Sequence, residues 1–269
     1  MSAAAPPPAP ASPAKPAVVP ATPPQHPHLG ELHDSGTVHK DWVDAERWVA
    51  TGLVKVTGDV RLGEGKLDGT ISLGGKLTAT TVHYRGTLDV DGPVEASGAF
   101  VGAGALGLGA TFHTGSADLK GTTRVVGAVT VDGDLKVRGA LFAPSVTVGE
   151  LHLEGEARVP GTLLGTQLSA RLHDDSKFGT VKARSVSLRT KPPNLVEKIF
   201  FRTLTVTVER VEADSVELEG VDVTFVRAPQ ITLGRNAHVT EYEGTIVKRH
   251  PTSRVGYESK SRPPYGLRR

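Results

Sequence analysis

The sequence contains no cysteine and a single methionine, and only 5% of its 269 residues are aromatic. Without cysteine there is neither a disulfide framework nor a thiolate metal site, and the chain suits a reducing cytosol. So few large side chains disfavour a conventional globular core of this length. Val, Leu, Ala, Thr and 31 Gly take their place, a mixture suited to thin, stacked layers of strand. No run approaches the roughly 20 apolar residues of a membrane-spanning helix, and the N-terminus lacks the basic and apolar regions of a secretory signal. These absences predict a cytoplasmic protein. Net charge is only +2 but unevenly spread. From Thr245 onward Lys248, Arg249, Arg254, Lys260, Arg262, Arg268 and Arg269 face one acid, Glu258, for a net +6, which leaves the body at −4.

Residues 1–30 are dominated by Pro and Ala. Proline lacks an amide donor and fixes φ, so this arm is expected to be extended and disordered, outside any ladder or helix. It reads as a spacer or as a docking site for a protein partner. Residues 31–52 read as an N-terminal cap, with Asp44–Val49 as a short helix or irregular segment. Trp42 and Trp48 are expected to plug the open end of the core, since a solenoid's first layer otherwise exposes apolar surface.

The informative region begins near Leu53. Glycines recur every six residues at Gly86, Gly92 and Gly98, at Gly115, Gly121, Gly127, Gly133 and Gly139, and at Gly149, Gly155 and Gly161. Between them Val125, Val129, Val131, Leu135, Val137 and Leu141 hold one parity while Thr130, Asp132, Asp134, Lys136 and Arg138 hold the other. That is strand alternation with a bend after every two inward residues. Three such sides close a coil of about 18 residues, which must stack on its neighbours to bury its inner face. The expected fold is all-β: a parallel β-helix of short three-sided coils over residues 53–244, about ten coils and about 50 Å long. Periodicity leaves the handedness open. Two irregularities stand out. Parity shifts between Leu108 and Gly115, in VGAGALGLGATFHTG, where a looser coil is expected. The pattern stops over residues 190–203, where Pro192 and Pro193 must leave the ladder and Asn194–Arg202 reads as a short helix. Residues 245–269 read as a flexible basic tail.

Three segments carry a family resemblance: VVGAVTVDGDLKVRG, FGTVKARSVSLRTKPPNLVEKIFF and VEADSVELEGVDVTFVRAPQITLGRNAHVTEYEG. Together they resemble the bactofilins, polymer-forming bacterial cytoskeletal proteins, and in particular their longer subgroup, over most of Leu53 to Gly244. The resemblance implies a right-handed parallel β-helix that polymerises end to end without nucleotide, associates with the membrane and positions other proteins. The proline-rich arm, the tail beyond His250 and the Gly-rich stretch near Gly104 depart from that pattern.

No catalytic, cofactor or metal site is expected. Asp174 and Asp175 are adjacent and read as a polar turn rather than a paired acid and base. His113, His152 and His173 are single residues, and the Val-x-Gly-x-Val pattern fits hexapeptide-repeat acyltransferases poorly. His26, His28, His33 and His39 read as solvated rather than as ligands. GAGALGLG lacks the Gly-Lys-Ser/Thr of a phosphate loop. Function is instead expected at the open ends of the rod, near which lie Leu53, Val54 and Val56 on one side and Phe225, Ile231 and Leu233 on the other. Leu195, Ile199, Phe200 and Phe201 pack against the rod or dip into a lipid surface. Lys248, Arg249, Arg254, Lys260, Arg262, Arg268 and Arg269 keep the tail soluble or meet anionic lipid or an acidic protein; specific nucleic-acid readout is not expected.

Overall fold

The computed structural model describes residues 28–173, 175–190 and 206–258. The elements are all strands: β1 Leu29–Lys40, β2 Val43–Val56, β3 Val60–Leu73, β4 Leu77–Val90, β5 Val94–Leu108, β6 Phe112–Val125 and β7 Val129–Phe142. They continue as β8 Val146–Leu164, β9 Gln167–Leu172, β10 Lys177–Thr190, β11 Val206–Glu219, β12 Val221–Leu233, β13 His238–Arg249 and β14 Arg254–Glu258. Each pairs in parallel with the next, in unbroken sequence order, and β10 also pairs with β8. Such a sheet is a parallel β-solenoid, here of about 13 turns. At one strand spacing per turn the rod is about 60 Å long.

A regular interior turn buries three pairs of alternating residues, one pair per face. In β4 these are Leu77 and Ala79, Val82 and Tyr84, and Leu88 and Val90. The parity read from the sequence holds: Val125, Val129, Val131, Leu135, Val137 and Leu141 are all buried. Gly115, Gly121, Gly127, Gly133 and Gly139 fall between successive buried pairs, so the six-residue period marks the corners of a three-sided turn. At one corner the glycines themselves stack, in register, from Gly36 through Gly52, Gly69, Gly86, Gly104, Gly121 and Gly139 to Gly155. Their φ values run from 80° to 138°, a region closed to most side chains.

The solenoid begins and ends beyond the expected limits. Asp44–Val49 lie within strand β2 rather than in a helix or irregular cap, and β1 adds a further turn before it. Residues 245–249 and 254–258, expected as part of a flexible tail, belong to β13 and β14. The turn length also varies. Asp222 pairs with His238, 16 residues on, and Val206 with Val221, 15 residues on, both shorter than the expected 18. Lys177 pairs with Thr207, 30 residues on, so the stack resumes in register on both sides of the interruption. Residues 191–205, which include Leu195, Ile199, Phe200 and Phe201, lie outside the described residues.

The Gly-rich stretch near Gly104 has a packing reason. Tyr84 and Gly102 occupy the same register column, and a Cβ on Gly102 would overlap the Tyr84 ring. The ring packs 5.8 Å from that of Phe100, which meets Phe112 edge-on at 5.0 Å. β5 also takes one extra residue between Ala96 and Phe100, where the register shifts. The Tyr84 hydroxyl is buried without a hydrogen-bond partner, and burial pushes its pKa up to about 12. Tyr84→Phe is therefore expected to leave stability unchanged or raise it by about 1 kcal/mol, because the lost group makes no bond to offset its desolvation. Thermal unfolding followed by circular dichroism checks this; a clear loss of stability would mean the hydroxyl is bonded.

Candidate functional site

Many polar side chains on the outer faces pair between neighbouring turns. His28 contacts Asp44 at 2.7 Å, His113 contacts Asp132 at 3.2 Å, and His238 lies 3.7 Å from Asp222. Each histidine has a single carboxylate, on an exposed face. Asp175 sits in a turn at φ 60°, as expected for a polar turn, and Asp174 lies outside the described residues. No group of three or more His, Cys, Asp or Glu side chains able to hold a metal occurs among the described residues. A groove of about 710 Å³ over the first turns is lined by Glu31, Glu46 and Glu64, but Arg47 lies 3.2 Å from Glu31 and 3.7 Å from Glu64.

Farther along, Glu212 accepts from Lys182 at 2.9 Å and from Arg210 at 2.6 Å. These hydrogen bonds, with Lys182 the larger influence, hold its carboxyl below the ordinary carboxylate range. The stabilisation is present at neutral pH and lost as pH falls through that depressed value. On this exposed surface Glu212→Gln is expected to cost no more than about 1 kcal/mol at neutral pH. Urea unfolding at neutral and acid pH should show the difference between variant and parent vanish in acid.

The chemistry that the sequence places at the rod's ends is distributed differently. Val54 and Val56 are fully buried beneath β1, while Leu53 is half exposed on the outer surface. Ile231 and Leu233 are buried under β13. Phe225 faces outward, with the Arg210 guanidinium 4.6 Å and that of Arg227 5.9 Å from its ring centre. All six lie near the ends, one turn in, beneath β1 or β13. The outermost turns themselves carry polar residues, Asp34, Lys40 and Arg249, in core-facing columns.

At the N-terminal end, β1 places Leu32 on Trp48, Asp34 on Ala50, Val38 on Val54 and Lys40 on Val56. Asp34 and Lys40 therefore occupy columns that are apolar in the turn above. They form an ion pair at 3.3 Å, and the Trp48 indole donates to Asp34 at 2.8 Å. Trp48 is fully buried, one turn in from the end, so the expected plug is a Trp48–Asp34–Lys40 unit. Trp42 is half-buried at a corner.

At the C-terminal end, Ile246 stacks on Ile231 and Arg249 on Leu233, with a register shift that leaves Val247 64% exposed. Val255 stacks on Val239 and Glu258 on Tyr242, which itself covers Val226. Arg249 donates to the Ser253 carbonyl at 3.2 Å. Lys248 and Arg254 lie in outward columns, over Thr232 and His238. Lys260, Arg262, Arg268 and Arg269 lie outside the described residues.

Among the described residues no helix is long and apolar enough to cross a membrane. No protein family, no curated protein and no solved structure matches this chain.

Proposed function

We propose that this chain is a structural scaffold: a rigid rod that stacks end on end with copies of itself, without nucleotide, and positions other proteins along the resulting polymer. The observation that carries the reading is the open ladder. Among the described residues β1 pairs only with β2 and β14 only with β13, so each end of the described ladder presents a row of backbone donors and acceptors without a strand partner. An open parallel edge is a template for another strand, and the strand best matched to it is one of the same width and spacing. A contact between different ends of identical rods builds filaments when the operation does not close. The resemblance of segments such as VVGAVTVDGDLKVRG to the bactofilins points the same way. On this reading the protein is cytoplasmic and non-catalytic. The proline-rich arm and the basic C-terminal segment are the places for protein partners or for an anionic membrane surface.

A second reading has its own support. Core-facing charges on an edge strand are one way proteins prevent edge-to-edge association, and the Asp34–Lys40 pair fits that description. The rod would then be a discrete binding scaffold of fixed size. Sedimentation velocity across a wide concentration range separates the two. Stacking predicts broad, concentration-dependent species that grow beyond the monomer; a single boundary at monomer size at every concentration sinks it.

A further inference from the structure

We propose that one outer face of the rod, over β3 to β7, is a docking surface for an acidic, extended segment of a partner protein, whose apolar side chain sits in a hollow above β5 between four unpaired cations. This rests on the scaffold reading and adds to it a place and a chemistry for the partner.

The hollow follows from the sequence of three successive turns. β4 presents His83, Tyr84 and Arg85, β5 presents Val101, Gly102 and Ala103, and β6 presents Asp118, Leu119 and Lys120, stacked in register. In each trio the middle residue is buried and the flanking two face outward. β5 therefore sets two short side chains, Val101 and Ala103, between longer ones. Gly102 adds no bulk, because the Tyr84 ring fills the space its own side chain would take. The result is a hollow of about 320 Å³ over Val101 and Ala103, bordered by Lys66, Asp68, His83, Arg85 and Lys120. Val101 remains 37% exposed in it.

The charges around it are arranged in two columns. Arg85, Ala103 and Lys120 follow one another in the first; Lys66, His83, Val101, Asp118 and Lys136 do so in the second. Arg85 and Lys120 thus stand two strand spacings apart, about 9.6 Å, with only an alanine between them. Other cations of the outer surface close on neighbouring acids, as Arg138 does on Asp118 at 3.0 Å and Lys76 on Glu95 at 2.6 Å. Lys66, Arg85, Lys120 and Lys136 are exposed, and none has an ion-pair or hydrogen-bond partner among the described residues. With Asp118 taken up by Arg138, only Asp68 opposes them within the two columns.

Floor and border together select the class of partner. An apolar floor ringed by cations fits an apolar side chain flanked by carboxylates; the seated side chain supplies affinity and the charges supply register. The patch is short. From Lys66 to Lys136 it covers four strand spacings, about 19 Å, which about six residues of extended chain would span. Its borders are acidic: the outer edge of the same face carries Glu64, Asp134 and Glu150, and β8 adds Glu154 beyond Arg138. A flat anionic membrane or a nucleic-acid duplex would lie over these carboxylates as well. Nor does any Phe, Tyr or Trp side chain point outward from the two columns over β3 to β7, so an unpaired base finds no platform to stack on. A short acidic segment meets the cations and avoids the acids.

The test is fluorescence anisotropy of a labelled hexapeptide, Glu-Asp-Leu-Val-Asp-Glu, titrated with the full chain at low salt. The double variant Arg85→Glu with Lys120→Glu is expected to bind on the order of tenfold more weakly than the parent. A control, Lys55→Glu with Arg61→Glu, changes net charge equally on the other two faces and is expected to stay within about twofold. Replacing Leu-Val in the peptide by Ser-Ser is expected to weaken binding about fivefold, because the hollow then receives no apolar group. No binding by the parent, or equal losses in the two double variants, would overturn the site. An unchanged affinity for the Ser-Ser peptide would overturn the hollow as the seat. Tighter binding of phosphatidylglycerol vesicles or of a single-stranded DNA oligonucleotide, lost in the Arg85→Glu, Lys120→Glu variant, would overturn the class of partner. Sedimentation of the same samples keeps the two readings apart. Polymers that do not bind the peptide sink this inference alone; site-specific binding by a chain that stays monomeric upholds it and sinks stacking.

Discussion

Gly102→Ala is expected to destabilise the rod by about 3 kcal/mol or more, as a small-to-large change in a core with no room to yield. The alanine Cβ would fall inside the ring of Tyr84, the residue beneath it in the same column. That ring cannot retreat, because Phe100 and Phe112 pack behind it. The other members of this column around it are leucines, Leu67 below and Leu119 above. Tyr84→Leu is therefore tolerable, and in that background Gly102→Ala is expected to become neutral or stabilising. A four-protein urea-unfolding cycle should return a coupling of about 1–3 kcal/mol between the two sites. Additive effects would mean that the tyrosine and the glycine do not share one space.

Gly104→Ala, two residues on, is expected to be as damaging for a different reason. Gly104 turns its corner at φ 128°, and a Cβ there would overlap the carbonyl oxygen of Gly86 in the turn below. Backbone strain and backbone overlap together suggest about 3–5 kcal/mol. Gly107, on the outer face of the same strand, supplies the comparison. A Cβ there meets only the carboxylate end of Asp89, which is free to swing away. Gly107→Ala is expected to stay within about 0.5 kcal/mol of the parent. Denaturant titrations of both variants check this contrast, and equal losses would contradict the stacked-corner account.

The interior of the rod was legible in the sequence because only two requirements act there, a dry inner parity and a bend after every pair. Val129 to Leu141 states both without interference. The Gly-rich stretch was legible as an irregularity but not as its cause, since Tyr84 and Gly102 are 18 positions apart and meet only through stacking. The ends were not legible. LGELHDSGTVHK puts Asp34 and Lys40 where the pattern demands apolar residues, so most of β1 reads as part of a cap although its backbone continues the ladder. Asp44–Val49 has the composition of a helix start, but Val43, Ala45, Trp48 and Ala50 supply the inward columns of a strand turn. At the other end, Arg249 and Glu258 disguise β13 and β14 as a basic tail. The candidate assembly residues therefore sit one turn in from the ends: the apolar pattern fades before the fold does.

End-on stacking is tested most directly by negative-stain and diffraction imaging of the purified chain in physiological buffer without nucleotide. The account predicts unbranched filaments one rod wide, with a strand spacing of about 4.8 Å along the filament axis and a subunit repeat of about 60 Å. Isolated particles about 60 Å long at every concentration would contradict it, and would leave the chain as a discrete scaffold closed at its end by Asp34 and Lys40.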